Sequence, residues 1–254
     1  MKKIRIEDLR GNEIRDITDW AKLYDKPQTA HHWKEHRSAY SVAKFFLYRN
    51  GGRAIESRVS DAVGEPVHFE RAIPEFQVKF DEFGQGRMHD IALFGNVKSG
   101  KSIFVGVEAK VDESFGLSVH DVYLKAKAKQ IAGVSTNAPE RIERLLAMHF
   151  SKPDISMFEV RYQLLYATAG TIAADADISV LYVIVFKTAL YSEQIGAKNY
   201  RDYIQFMNKV GAVPIKLPTK GAIGHKLELN GNTLICLHEY FEIGSLNLLM
   251  DMIL

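Results

Sequence analysis

Two acidic residues and a lysine near the middle of the 254-residue chain have the types and spacing to act together: Asp90, Glu108 and Lys110. Paired residues in an antiparallel hairpin have a constant number sum, so pairing Asp90 with Glu108 would centre the turn on Ser99. The chain reads Lys98-Ser99-Gly100 there, and glycine is typical of tight hairpin turns. The sequence therefore predicts a hairpin that brings the two carboxylates side by side.

This hairpin register would separate the side chains onto two faces, because successive residues of a strand point to opposite sides. One face would be entirely apolar, with Ile91, Leu93, Ile103, Val105, Val107, Ala109 and Val111. The opposite face would carry Asp90, Ala92, Phe94, Phe104, Gly106, Glu108 and Lys110. The three polar groups thus fall together at one end of one face.

Carboxylates on adjacent strands supply the oxygen ligands that Mg²⁺ and Mn²⁺ prefer. A cation held by Asp90 and Glu108 would acidify a bound water and offset negative charge at a substrate phosphate. We expect Lys110 to orient or deprotonate the attacking water, or to balance the developing charge. We expect Gly106 to leave room for a substrate backbone. The alternative is a surface ion pair of Lys110 with either carboxylate, which would contribute at most about 1 kcal/mol.

A second pattern, Gly95 to Ser102, matches the phosphate-binding consensus G-x-x-x-x-G-K-[ST]. That chemistry requires a helix directly after the loop, whose N-terminal N–H groups hold the phosphate. The segment that follows, Ile103 to Val107, is β-branched and aromatic and is typical of a strand. A hairpin loop is therefore the favoured interpretation, and binding of a nucleoside triphosphate is a minor alternative.

A third pattern, His32-Trp33-Lys34-Glu35-His36, matches the H-x-x-E-H motif of zinc peptidases. On a helix, His32 and His36 would share one face and could hold zinc together. The third ligand would have to be a downstream glutamate such as Glu108 or Glu113, which we place on a strand and a loop rather than a helix. We therefore expect an ordinary polar surface near the N-terminus.

The composition is that of an ordinary globular protein, with 46% hydrophobic and 25% charged residues. The formal net charge of +2 does not by itself indicate a polyanion partner. The single cysteine, Cys236, excludes an internal disulfide and fits a reducing compartment. The longest apolar run, Val180 to Phe186, is far shorter than the about 18–20 residues that span a bilayer. We therefore expect a soluble cytoplasmic protein that does not bind membranes.

Apolar periodicity, glycines and caps predict helices and strands in alternating groups. Helices are expected over residues 29–50, 53–63, 118–132, 139–150, 157–174 and 199–210. Strands are expected over residues 67–69, 76–80, 88–94, 101–111, 178–186, 226–229 and 233–240, the last two forming a hairpin around Asn230-Gly231-Asn232. This order favours one α/β domain over residues 1–254, with a mixed β-sheet flanked by helices. Residues 1–52 would form an N-terminal helical segment, residues 53–187 the core, and residues 188–254 a C-terminal extension with a β-hairpin.

Asp90, the hairpin and Glu108-Ala109-Lys110, with a helix before and after, resemble the PD-(D/E)xK nucleases of the restriction-endonuclease-like superfamily. Residues 107–116 and 161–165 also look like an uncharacterised bacterial group within that superfamily. The resemblance covers the middle half of the chain and implies an αβββαβ core. One departure is His89, which stands before Asp90 where the family motif has proline.

The resemblance implies a hydrolase that cleaves phosphodiester bonds of nucleic acid, with DNA as the expected substrate. Asp90 and Glu108 would bind Mg²⁺ or Mn²⁺, and Lys110 would be the catalytic lysine. The alternative is a nuclease-fold module that binds nucleic acid or protein without cutting it. Enzymes that cut both strands are often homodimers, and the sequence leaves the oligomeric state open.

Several other residues could border such a site. From the first core helix, Glu56 is the candidate for an additional carboxylate, with Glu75 on the first strand as its rival. Other candidate site-lining residues are Glu113, Gln130 and Gln163. Candidate contacts to nucleic-acid phosphates are Lys34, Arg37, Lys125, Lys127 and Lys129. Each of these side chains could also be an ordinary exposed polar group.

Overall fold

The strands of the protein form one mixed sheet. The computed structural model describes residues 4–26, 30–152 and 154–243. Its strands are β1 (Arg5–Ile6), β2 (Val67–Val78), β3 (Arg87–Val97), β4 (Ser102–Lys110), β5 (Ile178–Lys187), β6 (Val213–Ile215), β7 (Ile223–Leu229) and β8 (Asn232–Glu242). Their order across the sheet is β1-β2-β3-β4-β5-β8-β7-β6, so strands of the predicted N-terminal segment, core and extension share one sheet.

Helices cover both faces of this sheet. They are α1 (Ile17–Ala21), α2 (Ser38–Tyr48), α3 (Gly51–Val63), α4 (Val119–Ile131), α5 (Ala138–His149), α6 (Tyr162–Ile172) and α7 (Glu193–Lys209). Side chains of α2 and α3 share a buried apolar cluster with one face, and side chains of α4 to α7 share a second cluster with the other. The predicted α/β class, a mixed sheet flanked by helices, is confirmed. In the part of the chain described, no helix is long and apolar enough to cross a membrane.

The predicted hairpin register is confirmed from the turn as far as Ile91, which pairs with Val107. The chain reverses at Gly100, whose φ of +89° favours glycine. All seven residues of the predicted apolar face lie in the cluster beneath α2 and α3. Burial of that face fixes the register, because a slip by one residue would turn these side chains toward the opposite side.

Strand β5 is the centre of the sheet. It pairs in parallel with both β4 and β8, and its residues from 179 to 186 are buried. A strand covered on both faces must be apolar throughout, which is why Val180 to Phe186 shows no polar alternation. The hairpin of β7 and β8 around Gly231, predicted from its Asn-Gly-Asn turn, is also confirmed.

Two predicted helices are shorter than the sequence pattern suggests. Within the predicted range 29–50, whose first residue Thr29 lies outside the described residues, the α-helix is only Ser38–Tyr48. A backbone turn at His36, with φ of +67°, separates it from a short 3₁₀-helix at Ala30–His32. Within the range 157–174 the α-helix is Tyr162–Ile172, because the preceding Arg161 is extended and bridges to Ser118.

Candidate active site

Asp90 lies at the point where the β3–β4 ladder ends. The last backbone pair at this end is Ile91–Val107, and beyond it the Asp90 carboxylate accepts a hydrogen bond from the N–H of Ala109 at 2.6 Å. Asp90 therefore meets β4 through its side chain and not through a ladder pair with Glu108. Burial raises the pKa of the Asp90 carboxyl above its ordinary value.

The Glu108 carboxylate is surrounded by donors, and the residue is only 2% exposed. Lys110 Nζ lies 2.7 Å from one carboxylate oxygen, to which Gln163 on α6 also donates. Arg87 on β3 forms an ion pair with the other oxygen. The fold thus unites the predicted site residues Glu108, Lys110 and Gln163, and adds a second cation.

Lys110 is a buried cation, at 4% exposure, with its Nζ 5.4 Å from the centre of the Phe115 ring. Burial lowers the pKa of Lys110 to about 8, although the negative charges of Asp90 and Glu113 act in the opposite direction. A lysine with a pKa this close to neutrality can give up and take back a proton at ordinary pH. This property suits the role predicted for Lys110.

Glu75 is a third carboxylate of the cluster. The β2–β3 register places it beside Asp90, at a position where the backbone φ is +51°. The hydroxyl of Tyr24 donates to its carboxylate. Burial, and next the negative charge of Asp90, raise the pKa of Glu75 to about 7. A positive φ at a residue other than glycine is unfavourable, and such strained positions are concentrated at functional sites.

Glu113 caps the end of β4. Its carboxylate accepts hydrogen bonds from the N–H groups of Val111, at 3.2 Å, and Asp112, at 3.1 Å. Burial acts to raise the pKa of Glu113, but a hydrogen bond from Ser38 and the charge of Lys110 outweigh it and lower the pKa. Glu113 is therefore an ionised neighbour of the catalytic candidates, held by backbone.

Two predicted site-lining residues have other partners. The Glu56 carboxylate accepts the N–H of Phe69 at 2.9 Å, so it fastens α3 to β2. Of the two rival carboxylates, the fold brings Glu75 to the cluster and leaves Glu56 further along the sheet. Gln130 is exposed near the end of α4 and donates to the carbonyl of Thr136 at 3.2 Å, within the α4–α5 connection.

The space over Gly106 is filled by a neighbouring side chain. The imidazole of His89 lies over it, and a Cβ at position 106 would overlap the ring. The prediction that Gly106 leaves room for a substrate backbone is therefore wrong, because the missing side chain accommodates a buried histidine. Burial lowers the pKa of His89 to about 3, so the imidazole is neutral.

The sequence pattern missed two members of the cluster, Arg87 and Tyr24. Strict alternation along β3 would place Arg87 on the face of Ile91, yet it reaches Glu108 on the other face. The alternation breaks beside Glu75, and the only local signal of that irregularity is the preceding Pro74, since a proline inside a strand removes a ladder donor. Tyr24 comes from a separate segment near the N-terminus, so only the tertiary fold could bring it here.

The predicted nucleic-acid contacts lie in two places, on helix α4 and in the segment before α2. Lys125 and Lys129 are exposed on α4, and Lys34 is exposed before α2. Between the first two, Lys127 Nζ lies 3.7 Å from Glu143. Arg37 is also exposed, but it lies 3.6 Å from Asp112, next to the cluster. Of these residues, Arg37 therefore has the clearest connection with the candidate site.

The two competing motifs lack the geometry that their chemistry needs. Residues 95–97 are the end of β3, residues 98–101 form the turn, and Ser102 begins β4 where a phosphate-binding loop would begin a helix. His32 ends a 3₁₀-helix, while His36 lies in the turn before α2, so the two histidines share no helix. The structure therefore supports neither a phosphate-binding loop at residues 95–102 nor a shared helical zinc site of His32 and His36.

The donor set of the cluster fits a hard divalent cation. Asp90, Glu108 and Glu75 offer oxygen atoms only, and a cation would relieve the negative charge of Asp90 that adds to burial in raising the pKa of Glu75. Over the described ranges, no three His, Cys, Asp or Glu side chains already form a group that could hold a metal ion. A Mg²⁺ or Mn²⁺ ion held by Asp90 and Glu108 would need water to complete its coordination, as is common for magnesium.

The fold and this cluster define an α/β protein with a buried group of carboxylates and a lysine at the end of a central hairpin. The chain belongs to the family described as "Domain of unknown function (DUF6946)", which matches residues 13–238. No curated protein and no solved structure matches the chain.

Proposed function

We propose that this protein is a divalent-metal-dependent phosphodiesterase that cleaves nucleic acid, with DNA as the first substrate to test. The observation that carries the proposal is the buried contact of Lys110 with Glu108, next to Asp90, at the point where two central strands separate. Burying a lysine and two carboxylates is unfavourable unless they are paired. Such groups are concentrated at sites of chemistry.

The arrangement of the central elements supports the same proposal. Helix α3 precedes the antiparallel strands β2, β3 and β4, and β5 then joins β4 in parallel after α4, α5 and α6. This order resembles the αβββαβ order expected of a restriction-endonuclease-like core, with three helices where that core has one. A fold alone does not define an activity, so the cluster and not the topology carries the functional argument.

Each residue of the cluster has a role in the proposed reaction. Asp90 and Glu108 would hold Mg²⁺ or Mn²⁺, which would acidify a water and offset charge on the substrate phosphate. Lys110, with its pKa of about 8, would accept the proton of the attacking water or orient that water. Gln163 fixes the Glu108 carboxylate through its amide.

A non-catalytic binding module is the second candidate, and one observation favours it. Glu108 already accepts hydrogen bonds from Lys110 and Gln163 and forms an ion pair with Arg87, so its charge is balanced without a metal. In such a module the cluster would only hold β3, β4 and α6 together. This candidate predicts that Mn²⁺ does not bind and that no metal supports cleavage.

The deciding experiment compares cleavage of supercoiled, linear duplex and single-stranded DNA in Mn²⁺ and in Mg²⁺. Wild type is measured beside Lys110→Ala and Asp90→Ala, with exposed Lys220→Ala as the matched control. We expect wild type and Lys220→Ala to cut, and both cluster variants to lose at least a hundredfold in rate. Cleavage that is equal in all four proteins would mean that the activity is not in this site.

A further inference from the structure

Arg87 is held in the cluster by its surroundings as much as by Glu108. Its stem lies against Gly170 on α6, where a Cβ would overlap the Cβ of Arg87. Its guanidinium lies 5.9 Å from the centre of the Tyr166 ring. The glycine therefore makes the space through which the arginine enters the site, and the aromatic ring orients the guanidinium plane.

The guanidinium of Arg87 has more donors than partners. Its side chain is only 11% exposed, and it forms an ion pair with Glu108. The buried Nε atom has no hydrogen-bond partner among the described residues. Buried donors are nearly always satisfied, so an unpartnered arginine donor at a site points to a missing acceptor. The fork of an arginine fits the oxygens of a phosphate particularly well.

Arg87 would also compete with a metal ion for the Glu108 carboxylate. A cation held by Asp90 and Glu108 would meet the positive charge of a guanidinium that pairs with the same Glu108. Lys110 adds a second positive charge at that carboxylate. Binding of a metal ion would therefore require the guanidinium to leave Glu108, and the released group needs a new acceptor.

We propose that Arg87 is a phosphate-binding residue of the substrate site, and that it pairs with Glu108 until a divalent cation and a nucleic-acid phosphate enter. This inference rests on the proposed function and adds a substrate contact to it. Arg87 then has two acceptors in turn, the Glu108 carboxylate and the substrate phosphate. The guanidinium keeps the carboxylate neutralised while the site is free of metal.

The first test measures Mn²⁺ binding without nucleic acid, by electron paramagnetic resonance of the free ion. We expect Arg87→Gln to bind Mn²⁺ at least tenfold more tightly than wild type, because the competing charge is gone. Arg87→Lys, which keeps the charge, and Arg144→Gln, an exposed arginine paired with Glu82 and Glu140, should both resemble wild type. A folded Arg87→Gln protein with unchanged Mn²⁺ affinity would overturn the inference.

The second test measures binding of a DNA oligonucleotide in the Lys110→Ala background, in which the substrate should stay intact. Adding Arg87→Gln should weaken binding at least tenfold and reduce the slope of affinity against salt by about one. Should Arg87→Gln not fold, Arg87→Lys still tests the idea, because lysine lacks the planar fork and should weaken DNA binding at unchanged Mn²⁺ affinity. Tighter Mn²⁺ binding with unchanged DNA binding would overturn the phosphate contact.

These outcomes separate the two proposals. Unchanged Mn²⁺ and DNA affinities in folded Arg87→Gln, together with metal-dependent cleavage by wild type, refute the role of Arg87 alone. If neither wild type nor Arg87→Gln binds Mn²⁺, the proposed function itself fails.

Discussion

Replacing Glu75 by glutamine tests whether burial, and next the charge of Asp90, keeps the Glu75 carboxyl protonated up to nearly neutral pH. The pKa of Glu75 is raised from 4.5 to about 7, so between these values the folded protein binds more protons than the unfolded chain. The free energy of unfolding must therefore fall as the pH rises through that window. The interval corresponds to about 3 kcal/mol, and partial screening at this half-buried residue reduces it to about 2 kcal/mol.

The assay is urea unfolding of wild type and Glu75→Gln at pH 5, 6, 7 and 8, without divalent metal. We expect the stability of wild type relative to Glu75→Gln to decrease by about 2 kcal/mol between pH 5 and pH 8. Glu70→Gln, on the exposed side of the same strand, is the control and should show no such trend. A difference between wild type and Glu75→Gln that does not vary with pH would refute the reasoning. If wild type instead gained stability relative to Glu75→Gln as the pH rises, the predicted direction of the pH dependence would be wrong.

Two other predictions concern buried histidines. Burial lowers the pKa of His149 to about 4, so the stability that its neutral form contributes should be lost as the pH falls from 6.5 through 4. His149→Gln should therefore flatten that part of the curve of unfolding free energy against pH. An unchanged slope would contradict the assignment. Gly106→Ala should destabilise the protein by about 1–3 kcal/mol in thermal unfolding, because the added methyl group overlaps the His89 ring. Combining it with His89→Ala should recover part of the lost stability. No loss in the single variant would show that the ring can move aside.

The hairpin could be predicted because two independent patterns agree on one register. The apolar residues of β3 and β4 alternate with the others, and the register that pairs Ile91 with Val107 also places Gly100 in the turn. Strand β5 could be predicted equally well, since a continuous apolar run rich in β-branched residues is typical of a strand buried on both faces. These features depend on neighbouring residues, and local pattern is therefore sufficient to find them.

The supporting groups of the cluster depend on contacts that local pattern does not encode. Tyr24 and Glu75 are far apart in the chain, and their hydrogen bond exists only because the N-terminal segment folds over the end of β2. The sequence suggests Glu56 as the candidate and Glu75 as its rival, and only the register of β2 with β3 shows that Glu75 is the one beside Asp90. The tertiary fold, and not the local sequence, therefore decides which third carboxylate lies beside Asp90.

One irregularity in the sheet explains why this end of the hairpin differs from the rest. From Ile91 onward β3 alternates regularly, but His89 already contacts the same face as Ala92 and Phe104. Asp90 lies between these two patterns, beside the positive φ of Glu75, and so its carboxylate turns to the N–H of Ala109. The break in alternation brings an arginine and a histidine from β3 to the side of Glu108, where a regular strand would have placed them beneath α2 and α3. The candidate site therefore lies where the β3–β4 ladder ends.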